Sequence, residues 1–408
     1  MAEVNPPVHG WEAIPEDQPL TFLPLEAVWP RRMDYSRQRP KAKVASGYTR
    51  FCEGDVIVPK ITPTFQADRS TLIRGMPTAV GTGTTELHVI RPSSAIDPRY
   101  LDYLMSSRPF LLGGEAWMIG VAGQKRVPDQ WIRDFPIPVT DPAEQRAIAD
   151  YLDTEASRID TLITKKRRMI ELLEERLRRM ALGLLTGEGV AKRWSVGPYW
   201  LGSVPRTWMP HKVAWAKKTA SGTTPESGSP VYYDSEGIPW ITTSELREAT
   251  IVDSEKRVTN AAFEDYSALK VFPVGTILVA MYGATVGRLG ILGTPAATNQ
   301  ACCAVYGSGT LDQQFLYWWL WANRGPVVSM AYGSGQPNIS QELIRGLRVP
   351  APDVEEQRQI ADRIEREAAG TERATARLSR LIELLAERRQ ALITTAVTGE
   401  LAVSAGVA

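Results

Sequence analysis

The most regular pattern of hydrophobic positions in the chain runs from Pro142 to Gly187. In steps of three and four residues it places an apolar side chain at nearly every turn. The positions are Ile148, Leu152, Ala156, Ile159, Ile163, Lys166, Ile170, Leu173, Leu177, Met180 and Leu184. A 3.5-residue repeat held for about five heptads predicts a long helix with a narrow seam that packs against a partner helix. At about 1.5 Å per residue the helix would be roughly 65 Å long.

The partner helix is predicted in the same chain, 212 positions further on. Glu144-Gln145-Arg146 returns as Glu356-Gln357-Arg358, and Thr186-Gly187-Glu188 returns as Thr398-Gly399-Glu400, without a gap. The seam is repeated at Ile360, Ile364, Ala368, Thr371, Thr375, Leu378, Ile382, Leu385, Arg389, Leu392 and Ala396. Because a globular segment connects the end of the first helix to the start of the second, we expect the two helices to pair antiparallel.

The segments before each helix lack this periodicity and show short strand patterns. In the first segment, Asp55–Pro59 and Glu86–Arg91 predict strands, and Asp97-Pro98 predicts the start of a short helix near Arg99–Ser106. The second segment repeats the first loosely. The matched pairs are Gly54–Val58 with Gly275–Val279, Thr85-Glu86 with Asn299-Gln300, Tyr100-Leu101 with Phe315-Leu316, Gly123-Gln124 with Gly335-Gln336, and Ile132-Arg133 with Ile344-Arg345.

We therefore predict an α+β protein with two globular domains that have β-sheet cores. Two long helices join them as an intramolecular antiparallel coiled coil with pseudo-two-fold symmetry. The expected bounds are 1–141 for the first domain (the first head), 142–187 for the central helix, 188–352 for the second domain (the second head), 353–401 for the C-terminal helix and 402–408 for a tail. A duplicated unit of this kind suits a ligand with two separated, oppositely oriented sites, such as double-stranded DNA.

Composition narrows the class of protein. The net charge of +1 over 408 residues neither requires nor excludes nucleic acid, because basic groups can be local. No run of eighteen apolar residues predicts a membrane span, and the first ten residues do not resemble a secretory signal. Three cysteines cannot build a disulfide framework, so we expect a reducing, cytoplasmic location. Three scattered histidines without a C-x-x-C pair indicate no structural metal.

Motifs of catalysis are missing from the sequence. It has no G-x-x-x-x-G-K-[ST] phosphate loop and no acidic residue with a lysine two positions later. Asn5-Pro6-Pro7-Val8 is similar to the tetrapeptide of adenine methylases, but that motif ends in an aromatic residue that stacks the flipped base. We therefore expect a disordered start there. Gly81-Thr82-Gly83 lacks the spacing of a dinucleotide loop and predicts a turn.

The chain resembles the specificity subunit of type I restriction-modification systems over essentially its whole length. The resemblance rests on the duplicated Glu-Gln-Arg-x-Ile-Ala-Asp helix start, the Leu-Thr-Gly-Glu type of helix end and several stretches of the second head. These stretches are Gly237–Ile241, Tyr282–Gly287, Thr298–Ala301 and Gly335–Ser340. Each is weak alone, but their order and the duplication make the resemblance specific.

The resemblance implies two target-recognition domains, each of which reads one half of a bipartite asymmetric DNA site, and helices that set the spacing. It implies that the chain is non-catalytic, holds no cofactor and assembles with two modification subunits, which bind S-adenosylmethionine and methylate adenine. It also implies restriction subunits that use ATP and Mg to cut and translocate DNA. An alternative from another class is a non-catalytic scaffold whose duplicated heads bind proteins. A self-contained enzyme is a third alternative, which the missing motifs disfavour.

Candidate DNA contacts are the basic, small polar and amide side chains of both heads. In the first head they are Arg37, Arg39, Lys41, Lys43, Tyr48, Lys60, Thr62, Lys125 and Arg126. In the second head they are Thr223, Thr224, Trp240, Thr242, Tyr282, Thr285, Arg288, Asn299, Gln300, Ser334 and Gln336. The segment 37–43 is also compatible with a solvated charged loop, and Asn299-Gln300 with a structural amide pair that caps a turn.

The helix starts suggest a different kind of contact. Glu144, Gln145 and Arg146, with their copies Glu356, Gln357 and Arg358, stay alike while the heads diverge. We interpret them as docking sites for two copies of one partner. The basic run 165–168 could lie near DNA or simply be solvated, and Trp318, Trp319 and Trp321 are interpreted as core residues.

Overall fold

The fold was analysed in a computed structural model, which describes residues 2–121, 123–138, 140–196, 198–331 and 338–403. The chain divides into two compact units: Met1–Arg168 with Leu378–Ala408 (unit 1), and Met169–Arg377 (unit 2). Two helices of 44 residues, Pro142–Leu185 and Val354–Val397, each contribute one part to each unit. Unit 1 contains the first head and unit 2 the second.

The first head is built on two four-stranded sheets. One has the antiparallel order β1-β10-β7-β8; the other has the order β5-β2-β9-β6, in which β2 and β9 run parallel. The strands are β1 (Ala2–Val4), β2 (Pro19–Leu23), β3 (Val28–Trp29), β4 (Arg32–Met33), β5 (Gln38–Pro40), β6 (Thr49–Cys52), β7 (Val56–Pro59), β8 (Thr71–Leu72), β9 (Val80–Gly83) and β10 (Leu87–Pro92). The helices of unit 1 are α1 (Pro98–Met105), α2 (Arg108–Trp117), α3 (Asp129–Asp134), the first part of α4 (Pro142–Leu185) and the last part of the helix Val354–Val397.

The predicted strands at 55–59 and 86–91 and the short helix near 99–106 are confirmed by β7, β10 and α1. Asp97 caps α1, since its carboxylate accepts hydrogen bonds from the backbone N–H groups of Arg99 and Tyr100. The prediction of a turn at Gly81–Gly83 is wrong, because these residues belong to strand β9. Glycine is needed there: a Cβ on Gly81 would lie 2.1 Å from the ring of Phe51.

The N-terminal residues are ordered, which corrects the expectation of a disordered start. Strand β1 pairs antiparallel with β10, and the Asn5 side chain accepts a hydrogen bond from the backbone N–H of Val89 at 3.0 Å. Val8 is buried in a small cluster with Trp11 and Leu20. Sequence periodicity gave no signal because the strand is only three residues long.

In unit 1 the two long helices run antiparallel. Ile148, Leu152 and Ala156 share one apolar core with Ile393, Ala396 and Val397, and with Tyr100 and Phe110 of the first head. Further along, the Arg389 guanidinium lies 2.9 Å from the Asp160 carboxylate. Contacts that join early residues of one helix to late residues of the other define the antiparallel direction.

The second head has a five-stranded sheet in the order β14-β21-β18-β19-β16 and a three-stranded sheet in the order β17-β15-β20. Two strand pairs, β11-β12 and β13-β22, flank them. The strands are β11 (Arg193–Ser195), β12 (Ser203–Pro205), β13 (Met209–Lys212), β14 (Lys218–Ser221), β15 (Tyr233–Ile241), β16 (Thr250–Ile251), β17 (Arg257–Val258), β18 (Ile277–Ala280), β19 (Leu289–Leu292), β20 (Ala297–Thr298), β21 (Cys302–Tyr306) and β22 (Arg348–Ala351). The helices are α5 (Val213–Ala216), α6 (Asn260–Asp265), α7 (Gln313–Ala322), α8 (Arg324–Ser329), α9 (Gln341–Gly346) and α10 (Val354–Val397).

The core of unit 2 joins the second head to both long helices. Ala181 and Leu185 of α4 and Ala361 and Ile364 of α10 belong to one buried cluster with Phe315. Trp319 is fully buried in the same cluster, and Trp318 and Trp321 pack against it, which confirms the interpretation of this tryptophan run as core. All the predicted seam positions of α4 and α10 are buried or half-buried.

Candidate nucleic-acid interface

The same backbone hydrogen bonds close one end of the sheet in each head. In the first head, the Lys60 N–H donates to the carbonyl of Glu86 at 2.8 Å, and the Val127 N–H donates to the carbonyl of Lys60 at 2.9 Å. Ile61 forms an isolated antiparallel bridge with Arg126. These three contacts bring the end of β7, the start of β10 and the loop before α3 together.

The second head repeats these contacts with other residues. The Met281 N–H donates to the carbonyl of Ala301 at 2.8 Å, and the Ile339 N–H donates to the carbonyl of Met281 at 2.7 Å. Tyr282 forms the matching bridge with Asn338. We call the residues held by these contacts the strand-end site of each head.

These contacts refine the sequence match between the heads by one residue. Because Lys60 and Met281 hold equivalent places, Glu86 corresponds to Ala301 rather than to Gln300. The turn before each agrees: Thr84 Oγ1 accepts from the Glu86 N–H at 3.3 Å, and Asn299 Oδ1 accepts from the Ala301 N–H at 3.1 Å. The match of Thr85-Glu86 with Asn299-Gln300 is therefore corrected.

The strand-end site of the first head brings together four sequence candidates, Lys60, Thr62, Lys125 and Arg126. Lys60 Nζ donates to the Thr85 carbonyl at 2.9 Å, and partial burial lowers the pKa of its ammonium. The Arg126 guanidinium binds both carboxylate oxygens of Glu86, and this hydrogen bonding lowers the pKa of the Glu86 carboxyl. The Thr62 N–H donates to the Lys125 carbonyl at 3.0 Å, and the Lys125 side chain is exposed.

The basic side chains of segment 37–43 differ in their exposure and in their contacts, which the sequence does not indicate. Arg37 pairs with Glu26 at 3.0 Å, and the Arg39 guanidinium stacks 4.0 Å from the ring of Phe22, which also forms a T-shaped pair with Tyr48. Lys43 is exposed. Lys41 contradicts the expectation of an exposed loop cation: its side chain is buried, and Nζ donates to the Ile14 carbonyl at 2.7 Å and pairs with Glu16 at 2.9 Å. A DNA contact by Lys41 would require breaking this anchor.

In the second head, four predicted residues lie together beside β20. Thr224 Oγ1 donates to Gln300 Oε1, and Trp240 Nε1 donates to the Thr223 carbonyl at 3.0 Å. Gly222 lets this loop approach closely, because a Cβ there would lie 1.7 Å from the Thr298 carbonyl oxygen. Trp240 is 4% exposed, so it supports the loop from below instead of presenting a surface for DNA.

The remaining candidates of the second head occupy turns. Thr242 caps a short 3-10 turn together with Glu245, and the Arg288 N–H donates to the Thr285 carbonyl at 2.9 Å. Tyr282 is 36% exposed at the strand-end site. The Asn299 side chain caps its own turn through the Ala301 N–H, as its structural alternative predicted. Ser334 and Gln336 lie outside the described residues.

Three polar residues near these sites were not among the sequence candidates. Glu86 holds Arg126, and Asn338 is exposed at the bridge with Tyr282. Gln341 accepts a hydrogen bond from Ser221 Oγ and donates one to Thr219 Oγ1, both at 3.1 Å. Asn338 falls within the stretch Gly335–Ser340 that carried the resemblance, so its motif was a usable signal. The pairings of Glu86 and Gln341 depend on distant residues and have no local pattern.

The chain is similar to known proteins in sequence and in fold. Residues 216–383 match the family model of the type I restriction modification DNA specificity domain. The chain carries a type I specificity domain. The resemblance inferred from its motifs is thereby confirmed.

Curated relatives of this domain include two from Escherichia coli. The type I restriction enzyme EcoEI specificity subunit is 37% identical over 151 residues, which are 36% of this chain and 25% of that protein. The EcoAI specificity subunit is 34% identical over 203 residues, 48% of this chain and 34% of that protein. The matched part of this chain thus spans about a quarter to a third of the length of these relatives.

Two solved structures share the fold of this chain. A chain from a study of complex assembly and conformational transition of the type I R-M system has a TM-score of 0.70 at 17% identity, covering 95% of this chain and 93% of that one. The HsdS subunit from Thermoanaerobacter tengcongensis has a TM-score of 0.51 at 16% identity, covering 95% and 92%. At these identities the likeness concerns fold alone, and it confirms the α+β class.

The two glutamines interpreted from the sequence as partner-docking residues, Gln145 and Gln357, are buried instead. Gln145 accepts from the Asp97 N–H at 2.8 Å and donates to the carbonyls of Ala95 and Thr140. Gln357 makes the same three contacts, with the Asp312 N–H and the carbonyls of Thr310 and Pro352. Each glutamine therefore fastens a helix start to the N-cap of a head helix, α1 or α7. We call these two sets of contacts the glutamine staples.

The neighbours of the staples are exposed, as docking would require. Glu144, Arg146 and Glu356 are exposed, and Arg358 is 60% exposed in its side chain while it pairs with Asp312 and Glu355 at 3.7 Å. Their role in docking stays a prediction.

Within the described residues, no cluster of three or more His, Cys, Asp or Glu side chains could hold a metal, and no helix is long and apolar enough to cross a membrane.

A buried histidine behind the strand-end site of the first head makes stability depend on pH. His88 Nε2 lies 2.9 Å from the Val127 carbonyl, and Nδ1 lies 3.3 Å from Asn5 Nδ2, so the neutral ring can donate to one and accept from the other. Desolvation lowers the pKa of His88 to about 4. Between about pH 4 and 6.5 the unfolded chain binds a proton that the folded chain does not, so stability falls as the pH is lowered through this range.

We expect His88→Gln to remove this pH dependence. The contribution reaches about 3 kcal/mol at the acid end of the range. Chemical unfolding of the wild type and the variant at pH 5 and pH 7 measures it. Asp68, whose pKa burial raises to about 7, contributes the opposite slope in both proteins and cancels in the comparison. Equal slopes in the two proteins would show that His88 is not held neutral.

Proposed function

We propose that this chain is the DNA sequence-recognition subunit of a type I restriction-modification complex. It has no catalysis of its own. Each head binds one half of a bipartite asymmetric DNA site, and the long helices set the spacing and dock two adenine-methyltransferase subunits. The proposal joins the specificity domain at residues 216–383 to the duplicated architecture described above.

The observation that carries the proposal is that the two heads share the same backbone hydrogen bonds at their strand-end sites but differ in the side chains there. The first site has the charged residues Lys60, Glu86 and Arg126 where the second has the buried Met281 and Ala301 and the exposed Asn338. A scaffold that binds the same protein at both heads would keep the side chains alike. A reader of two different half-sites keeps the frame and changes the chemistry, because base edges are distinguished by donor and acceptor pattern.

At the starts of the two long helices, by contrast, the exposed side chains are the same in both copies. The exposed residues Glu144 and Arg146 recur unchanged as Glu356 and Arg358. A repeated surface suits two copies of one partner, which we propose to be the modification subunit. S-adenosylmethionine would bind in that subunit, and ATP and Mg in restriction subunits that join the complex. Such a complex would act in the cytoplasm, where the chromosome is accessible and Cys52, Cys302 and Cys303 would stay free thiols.

Selection from random-sequence duplexes tests the proposal. We expect the full chain, co-expressed with methyltransferase subunits, to enrich a motif of two fixed blocks separated by a gap without sequence preference. Binding to that motif should be at least about a thousandfold tighter than to random duplex at the same salt concentration. The methyltransferase subunits without this chain are the control and should enrich nothing. Selection of no motif, or of one uninterrupted block, would refute the bipartite reading.

A further inference from the structure

We infer that Arg126 reads a guanine in the half-site of the first head, and that Glu86 and the Gln124 carbonyl hold its guanidinium in place. This inference rests on the proposed function and names one residue that sets specificity within it. It follows from the count of donors that the guanidinium has left after its internal contacts are made.

An arginine side chain carries five N–H donors in a planar fork. In Arg126, Nε lies 2.9 Å and Nη2 lies 2.8 Å from the carboxylate oxygens of Glu86, so one edge of the plane is filled. Nη1 donates to the Gln124 carbonyl at 3.3 Å. Two donors remain, one on each terminal nitrogen. These two donors find no partner in the described part of the chain.

The backbone beneath this side chain is held on both sides. The Ile119 N–H donates to the Arg126 carbonyl at 3.0 Å, and the Arg126 N–H donates to the Ile119 carbonyl at 2.9 Å. Gly120 makes room for the Gln124 carbonyl, because a Cβ there would lie 2.8 Å from its oxygen. The guanidinium is thus fixed at its base and along one edge, while its side chain keeps 46% exposure. A fixed fork loses little rotamer entropy on binding.

A pair of donors on the two terminal nitrogens of an arginine matches the O6 and N7 acceptors of guanine in the major groove, the commonest specific contact of arginine. A phosphate offers acceptors for the same fork, so the residue at the equivalent place of the second head is the observation that favours a base. The equivalent residue of the second head is Asn338, which is exposed. Arginine and asparagine both belong to the few side chains that bind purine edges in bidentate fashion, so their occurrence at one place in the repeated frame favours a base-reading position.

Three variants of the full chain, co-expressed with methyltransferase subunits, test the inference by selection from random duplexes. Arg126→Lys keeps the charge and loses the fork, and Arg126→Gln loses both. We expect each to lower the preference for guanine at one position of one half-site by about 5-fold to 150-fold, with the other half-site unchanged. Glu86→Gln should relax the same position by a smaller factor. The control is Arg133→Lys, an arginine of the same head with 48% exposure and an ion pair to Asp129, which should leave the motif unchanged.

Other outcomes would overturn the inference in distinct ways. If Arg126→Gln weakens binding equally for all sequences, and lowers the salt dependence by about one ion, Arg126 contacts a phosphate. If Glu86→Gln changes a different position, Glu86 reads a base itself. If the motif has no guanine in the block of the first head, or no variant changes it, Arg126 has no reading role. A wild-type complex that selects no motif at all would instead refute the proposed function.

Discussion

Exchange of residues 200–347 for the matching region of a relative is expected to replace one half of the recognised motif and to leave the other half intact. The exchanged range lies within unit 2 and contains the whole strand-end site of the second head, whereas that of the first head lies in unit 1. Methylome sequencing of cells that carry the exchanged chain and the methyltransferase subunits gives the result directly. It also assigns each half-site to its head, which the test of Arg126 requires.

The donor of the exchanged region has to fit the helices that remain. Ala181 and Leu185 of α4 and Ile364 of α10 are buried against Phe315 and Trp319 of the second head. A relative with apolar residues of similar volume at these head positions avoids cavities, which cost about 2–5 kcal/mol for large truncations. The matched control returns the original residues 200–347 through the same cloning junctions. A change in both half-sites would mean that the heads do not read independently.

Replacement of either staple glutamine by alanine is expected to destabilise one unit by about 2–4 kcal/mol. Gln145→Ala leaves one buried N–H and two carbonyls without their partner in unit 1, and Gln357→Ala does the same in unit 2. Each buried group left without a partner costs about 1–3 kcal/mol, reduced where water enters the space. Calorimetry or hydrogen exchange resolved by segment measures the loss.

The control for the staples is Gln359→Ala, since Gln359 is exposed two residues after Gln357. It should change stability by less than about 0.5 kcal/mol, as surface substitutions usually do. If Gln145→Ala and Gln359→Ala have equal effects on stability, the glutamines do not fasten the helices to the heads. Docking of a partner would then again be the explanation for the repeated glutamine.

The long helices could be predicted closely because their signal is periodic and local. The 3.5-residue spacing from Ile148 to Leu184 identifies the buried face without knowledge of any contact. The repeat at 212 positions then supplies the partner. The observed end at Leu185, two residues before Gly187, reflects the positive φ of that glycine, which ends the helix.

The site residues could be predicted less well because charge and exposure are decided by distant contacts. Lys41 stands in a run of basic residues, yet Glu16 and the Ile14 carbonyl, far away in sequence, bury it. Trp240 lies in a motif of the resemblance, but its indole supports Thr223. Gln145 is repeated because both heads need the same internal hydrogen bonds. Repetition alone does not distinguish an internal contact from a surface for a partner.

The composition of unit 1 has a consequence for biosynthesis. Its apolar core is completed by Leu392, Ile393, Ala396 and Val397, which the ribosome adds more than two hundred residues after Arg168. Unit 2 is one continuous stretch from Met169 to Arg377 and can close around its core first. The core of the first head stays incomplete until the last helix emerges, because the Tyr100 hydroxyl donates to the Val397 carbonyl and Tyr100 shares a buried cluster with Ile393 and Ala396. Nascent chains halted before that point would expose this core to chaperones and proteases, so premature stop codons between residues 168 and 392 should lower the amount of protein recovered.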